Sequence, residues 1–236
     1  THFHGWHDHM TAGYTSHFDG GATAGVIDGV ADNVVLVSPQ DISEIKSVLK
    51  SDNDIAAVIV EPTGSSFGMV PMTQEFLQSV RKFTEEQGVI FIFDEVVTGF
   101  RCSPGGAQQA FDIKPDLTTL AKILAGGLPG GAVAGRKDIL DDLDFERAAA
   151  QGREKIGHPG TFNANPVSAA AGIAALKIIE QTDACEKANS SAAILRKNFN
   201  NVLEKHNVPW AAYGTFSGVH LYMNKNGQTI NQSTFN

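Results

Sequence analysis

Apolar residues along this chain fall into two alternating kinds of stretch: short continuous runs, and longer segments in which they recur every three or four positions. The first run, Asn33-Val-Val-Leu-Val37, reads as a strand, and Asp41 to Ser51 follows with Ile42, Ile45, Val48 and Leu49 at helical spacing. A second cycle sets Ile55-Ala-Ala-Val-Ile-Val60 as a strand before a helix over 73–87. That helix carries Phe76, Leu77, Val80 and Phe83 on one face, with Thr73 as its cap and Gly88 closing it. Val89-Ile-Phe-Ile-Phe93 supplies a third strand. Continuous apolar strands joined by helices predict an α/β fold with a mostly parallel sheet covered by helices on both faces. Such sheets take ligands at the carboxyl ends of their strands. Glu61 and Asp94, each the first acidic residue after a buried strand, are therefore the first candidates.

Farther along lie a glycine-rich segment, Gly126 to Gly135, and an Ala-rich helix from about Asn165 to Glu180. A second helix, about Ala184 to His206, leads into a strand-like run, Gly218 to Met223. The change of pattern near residue 183 divides the chain into a large domain over 1–182 and the start of a small C-terminal α+β domain over 183–236. The chain starts at Thr1 without Met and stops soon after the last run; a piece cut at both ends is expected, lacking the N-terminal part of the large domain.

Composition narrows the function classes. With 236 residues and 42% hydrophobic content the chain buries a sizeable core. A formal charge of -8 with no run of Lys or Arg disfavours a nucleic-acid partner and leaves small-molecule chemistry. Cys102 and Cys185 lie far apart, outside any CxxC pattern, so neither a disulfide framework nor structural zinc is suggested. No run approaches membrane-span length and no cleavable leader is present, so a cytoplasmic protein without a membrane partner is expected.

The densest chemical signal is Asp94-Glu-Val-Val-Thr-Gly-Phe-Arg101, followed by Leu120-Ala-Lys-Ile-Leu-Ala-Gly-Gly-Leu-Pro-Gly-Gly-Ala-Val-Ala-Gly-Arg136. Alone, a lysine beside glycines is a surface-loop residue, and an Asp after a strand is a helix cap. Together, a strand-end acid and a lysine in an apolar setting match what pyridoxal 5′-phosphate (PLP) chemistry requires. The lysine must lose its proton to form an imine, which apolar surroundings favour, and the carboxylate must keep the pyridine nitrogen protonated.

The pair of motifs resembles the class III aminotransferase family of PLP enzymes, with a fold type I architecture. The resemblance runs from Phe3 to about Glu180, with a fair continuation beyond. It implies that Lys122 forms the Schiff base, that Asp94 pairs with the pyridinium nitrogen, and that Val96 packs on one ring face with Phe3 on the other. His4 is implied to sit beside the cofactor, and Glu61 to begin the family's Glu-Pro turn at the active site. Gly160-Thr-Phe-Asn-Ala-Asn-Pro166 resembles a motif whose threonine, here Thr161, binds the cofactor phosphate of the neighbouring subunit, which implies a homodimer.

Two departures place the chain within the family. Val97 stands where most of its transaminases carry Gln, and Ser66 where they carry Glu. Both lean toward the glutamate-1-semialdehyde 2,1-aminomutase branch, as do Gly127-Leu-Pro-Gly-Gly-Ala132 and the long segment after His7-Asp8, which resembles that branch's mobile loop. Against it, the branch usually has Asn at the Ser66 position and other wording after Gly160. Amino-group transfer between two molecules or within one thus stays open.

Other readings compete. His2, His4, His7 and His9 could bind a metal, but metal ligands belong on regular elements with partners elsewhere, so no metal is assigned. Trp6, Phe67 and Phe100 read as core residues. An inactive binding protein with the same fold would have no chemical need of Lys122, and a dinucleotide binder would show G-x-G-x-x-G opening a helix after a strand, which this chain lacks.

Overall fold

The computed structural model describes residues 2–12, 23–38, 41–64 and 71–230. Its centre is a four-stranded sheet in the order β1-β2-β3-β4, formed by β1 (Ala57–Val60), β2 (Ile90–Glu95), β3 (Leu117–Ala121) and β4 (Gly131–Gly135). The first three strands run parallel, with Val60 beside Phe93 and Asp94 beside Thr119, while β4 pairs antiparallel to β3. The strand ends that follow Val60, Glu95 and Ala121 therefore stand side by side.

Helices α1 (Ile42–Ser51) and α2 (Gln74–Gln87) form where periodicity placed them. The Asp41 carboxylate accepts the amides of Ser43 and Glu44 at the head of α1, Thr73 caps α2 through the Phe76 amide, and Gly88 closes α2. Each cap satisfies amides that a helix start leaves without carbonyl partners. Ile45, Leu49, Leu77, Val80 and Phe83 meet Phe91 and Phe93 of β2 in one apolar core. The rings of Phe91 and Phe93 pack edge to face at 5.1 Å. Asp116, just before β3, ties the layers together: it accepts the Phe91 amide at 2.8 Å and the guanidinium groups of Arg81 from α2 and Arg136 beyond β4.

Short helices α3 (Gly106–Ala110), α4 (Lys137–Leu140) and α5 (Phe145–Ala150) connect the sheet to α6 (Pro166–Gln181) and α7 (Ala184–Lys205). A separate antiparallel pair, β5 (Trp210–Tyr213) and β6 (His220–Met223), is clamped to α7 by Asn200. Its side chain bonds both the carbonyl and the amide of Ala212.

Three expectations change. Val34 to Val37 forms no strand among the described residues, and Val35 and Leu36 are exposed. An apolar run gives a strand only where a neighbour supplies the hydrogen-bond ladder. Part of the glycine-rich Gly126–Gly135 segment forms strand β4, since an edge position needs no buried side chains. Trp6 is 91% exposed instead of lying in the core. Phe100 is half-buried with a left-handed φ of 57°, so it serves a turn as well as packing. Phe67, Ser66 and most of the loop segment expected after His7-Asp8 lie outside the described residues.

Candidate active site

The three parallel strand ends carry the candidate residues. Asp94 is the next-to-last residue of β2 and is 4% exposed. Its Oδ2 bonds His4 Nδ1 at 2.7 Å, and its Oδ1 accepts the Val96 amide at 3.1 Å and the Thr119 hydroxyl at 3.2 Å. Burial by itself would raise this carboxyl. The hydrogen bonds from His4, Val96 and Thr119 outweigh burial and hold Asp94 below the ordinary carboxylate range. Asp94 is thus an anion at neutral pH with three donors on it and acceptor capacity to spare.

At the end of β1, Glu61 is buried. Its carboxylate turns back onto the amide and hydroxyl of Thr63, at 3.1 and 2.6 Å, shaping the Glu-Pro turn. The Glu61 amide donates to His2 Nδ1 at 3.1 Å. His2 meets His4 edge to face, with centroids 5.6 Å apart. Burial first, and the neighbouring His4 second, push the His2 imidazole down to about 3, so His2 is neutral. Phe3 lies between these two histidines in the chain and is 37% exposed. Val96 follows β2 directly and is half-buried.

Lys122 opens the 3-10 turn Lys122–Ala125 just past β3, next to the strand that carries Asp94. Its φ is 50°, a left-handed conformation that L side chains rarely adopt, and its side chain is exposed. Among the described residues it stands at an open strand end. The turn is fixed from behind. Gly126 closes it with φ 62°, and Gly172 of α6 packs so closely that a Cβ there would meet the Leu124 carbonyl at 2.5 Å. Thr161 lies apart from Asp94 in the sequence of elements, exposed in the turn that leads into α6.

The structure therefore gathers His4, Asp94 and Val96 directly, sets Glu61 and Lys122 at the adjoining strand ends, and leaves Thr161 on the surface. The histidine cluster forms two ring pairs, His2 with His4 and His7 stacked on His9, the latter two exposed or half-exposed. Among the described residues no group of three His, Cys, Asp or Glu side chains is arranged to hold a metal ion. No helix among them is long and apolar enough to cross a membrane.

Three residues escaped the sequence reading. Thr119 bonds Asp94 from β3, and the run Leu117-Thr-Thr-Leu-Ala121 just before the lysine was its signal. Glu95 is fully buried and accepts the amides of Ala107 and Gln108, the Gln108 side chain and the Thr98 hydroxyl. It anchors α3 to the strand end beside Asp94; a second acid in an apolar strand was its only trace. For His2, nothing in the sequence distinguished it from the other histidines.

Residues 26–233 match the sequence family described as Aminotransferase class-III. The chain belongs to that family. It is 38% identical over 208 residues to a glutamate-1-semialdehyde 2,1-aminomutase of Sulfurisphaera tokodaii, covering 87% of this chain and 48% of the relative. To the protein of the same name from Methanothrix thermoacetophila it is 40% identical over 221 residues, covering 91% and 49%. The chain thus spans about half the length of the curated relatives it matches. Among solved structures, an omega-transaminase from Sphaerobacter thermophilus superposes with a TM-score of 0.81 at 32% identity, over 95% of this chain and 52% of that one. A glutamate-1-semialdehyde-aminomutase from Pseudomonas aeruginosa gives 0.75 at 25% identity, over 98% and 52%. The α/β architecture of these aminotransferases is the fold seen here.

Proposed function

We propose that the protein transfers amino groups with PLP held across the ends of β2 and β3, acting on an amino acid or amino-aldehyde. The observation that carries this is the Asp94 carboxylate, buried, anionic and already triply bonded, one strand away from a lysine that opens an accessible turn. The donor set fits the cofactor: an anion for a protonated ring nitrogen and a primary amine for an aldehyde, with Val96 and Phe3 assigned to the two ring faces by the family resemblance. When bound, PLP supplies a carbonyl that condenses with amines and a ring that withdraws electrons.

The chain's own groups do the rest. Asp94, kept ionised by its three donors, holds a proton on the ring nitrogen. His4 and Thr119 fix the carboxylate's orientation so that it does not swing away. Lys122 would hold the cofactor through its amine and, once free, would move a proton at the substrate's α-carbon. Thr161, exposed ahead of α6, reaches the phosphate in the neighbouring subunit of a homodimer. The unit from about residue 183, α7 with β5 and β6, begins the smaller domain.

The relatives' shared name favours aminomutation of glutamate-1-semialdehyde. Transfer between two molecules is the second reading, favoured by the higher TM-score of the omega-transaminase. The test supplies the full-length protein with glutamate-1-semialdehyde alone, then with amino donors plus a keto acid, while cofactor absorbance is followed. 5-Aminolevulinate formed without an external acceptor supports the mutase; product only with a keto acid supports the transaminase. A protein that shows no visible band with added PLP, or a Lys122→Ala variant that keeps activity, overturns both.

A further inference from the structure

The segment His2-Phe3-His4 is held at both ends by imidazoles that bond to the ends of different strands. His4 bonds the Asp94 carboxylate at the end of β2, and His2 accepts the Glu61 amide at the end of β1. Phe3, between them, is left 37% exposed. The Glu61 amide can only donate, so His2 Nδ1 must accept, which places the ring proton on Nε2. That Nε2 atom is buried and has no hydrogen-bond partner among the described residues, so the Nδ1 bond is the polar contact that keeps the ring where it is. A buried donor left without a partner is costly, and a fold keeps one only where the rest of the ring's position is determined by something else. The same ring packs its edge against His4, whose Nδ1–H is committed to Asp94.

We propose that His2 is a positioning residue: with His4 it staples the segment across the ends of β1 and β2, fixing Phe3 between them and the His4 ring on Asp94. The role rests on the PLP reading above, since Phe3 needs fixing only if a planar ring is to lie against it. Freedom at Phe3 or His4 would lower cofactor affinity by making binding order a loose segment, and would blur the asymmetry of the ring's surroundings. His2 acts through Phe3 and His4 and needs no contact with the substrate.

The test uses the full-length protein with His2→Ala and His2→Asn. Asn places its side-chain oxygen near the position of Nδ1 and keeps an acceptor for the Glu61 amide. The expected result is a PLP Kd raised roughly tenfold in His2→Ala, the effect of one lost hydrogen bond, with a weakened visible circular dichroism band of the bound cofactor. His2→Asn should recover most of both. Nitrogen-15 spectra of labelled histidine in the cofactor-free protein should show His2 protonated on Nε2 alone and His4 protonated on Nδ1.

Unchanged Kd and dichroism in His2→Ala overturn the role while leaving the PLP reading intact. So does a His2→Asn variant that binds as weakly as His2→Ala, or a His2 resonance showing the proton on Nδ1. A wild-type protein that binds no PLP overturns the proposed function, and the positioning role with it.

Discussion

Replacing Gly172 by Ala sets two physical effects of opposite sign against each other. Inside an exposed helix the change would be stabilising by about 1 kcal/mol, because glycine is the poorer helix former. Gly172 is buried in α6, however, and a Cβ there would sit 2.5 Å from the Leu124 carbonyl oxygen, against 3.4 Å for an ordinary contact. The helix or the lysine turn must therefore move by about 0.9 Å, the difference of those two distances. Overpacking of this kind costs about 1–3 kcal/mol, so the net expectation is a loss of up to about 2 kcal/mol. The part that yields is the turn Lys122–Ala125, since α6 is a continuous helix of 16 residues and the turn is four. A misplacement of about 1 Å at a reacting group costs on the order of a hundredfold in rate. Urea denaturation of the full-length protein reads the first effect, and kcat at saturating PLP reads the second. A Gly172→Ala protein that is more stable than the wild type and turns over at the same rate would refute the packing argument.

The left-handed φ of Lys122 predicts that, without cofactor, Lys122→Gly is more stable than Lys122→Ala by about 1 kcal/mol, reversing the usual order; equal denaturation midpoints would contradict it. Glu95→Ala strands the amides of Ala107 and Gln108 and should cost about 3 kcal/mol or more, with amide exchange in α3 accelerating first; exchange confined to other elements would count against Glu95 as its anchor. Because the folded Asp94 carboxyl is held below its ordinary value of 3.8, its contribution to stability is fully present above that pH and is lost as pH falls through the lower folded value. Acid titration of the cofactor-free protein should accordingly show a shallower low-pH loss in Asp94→Asn than in the wild type, and parallel curves would place the acid sensitivity elsewhere.

What could be read along the chain was whatever depends on near neighbours. Helices α1, α2, α6 and α7 announce themselves by spacing and caps, such as Thr73 before α2, and β1 and β2 by unbroken apolar runs. The motif from Asp94 to Arg101 and the lysine stretch were legible for a related reason. A strand end followed by a turn is a local event, and the family resemblance lies in such local wording. Contacts between distant segments left no such mark. Val34 to Val37 has the composition of a strand yet pairs with none among the described residues, while glycine-rich Gly131–Gly135 becomes a strand because the β3 edge lies beside it. Only the fold put His2 on the Glu61 amide 59 positions away, and only the packing of α6 explains why Gly172 has no side chain. Lys122 shows the division within one residue. The chemistry proposed for it follows from the residues around it in sequence, whereas its left-handed backbone and exposed setting belong to the place where β3 ends and Gly172 of α6 packs on the turn. Periodicity reports which face of an element is apolar; it holds no information on which other element will meet that face.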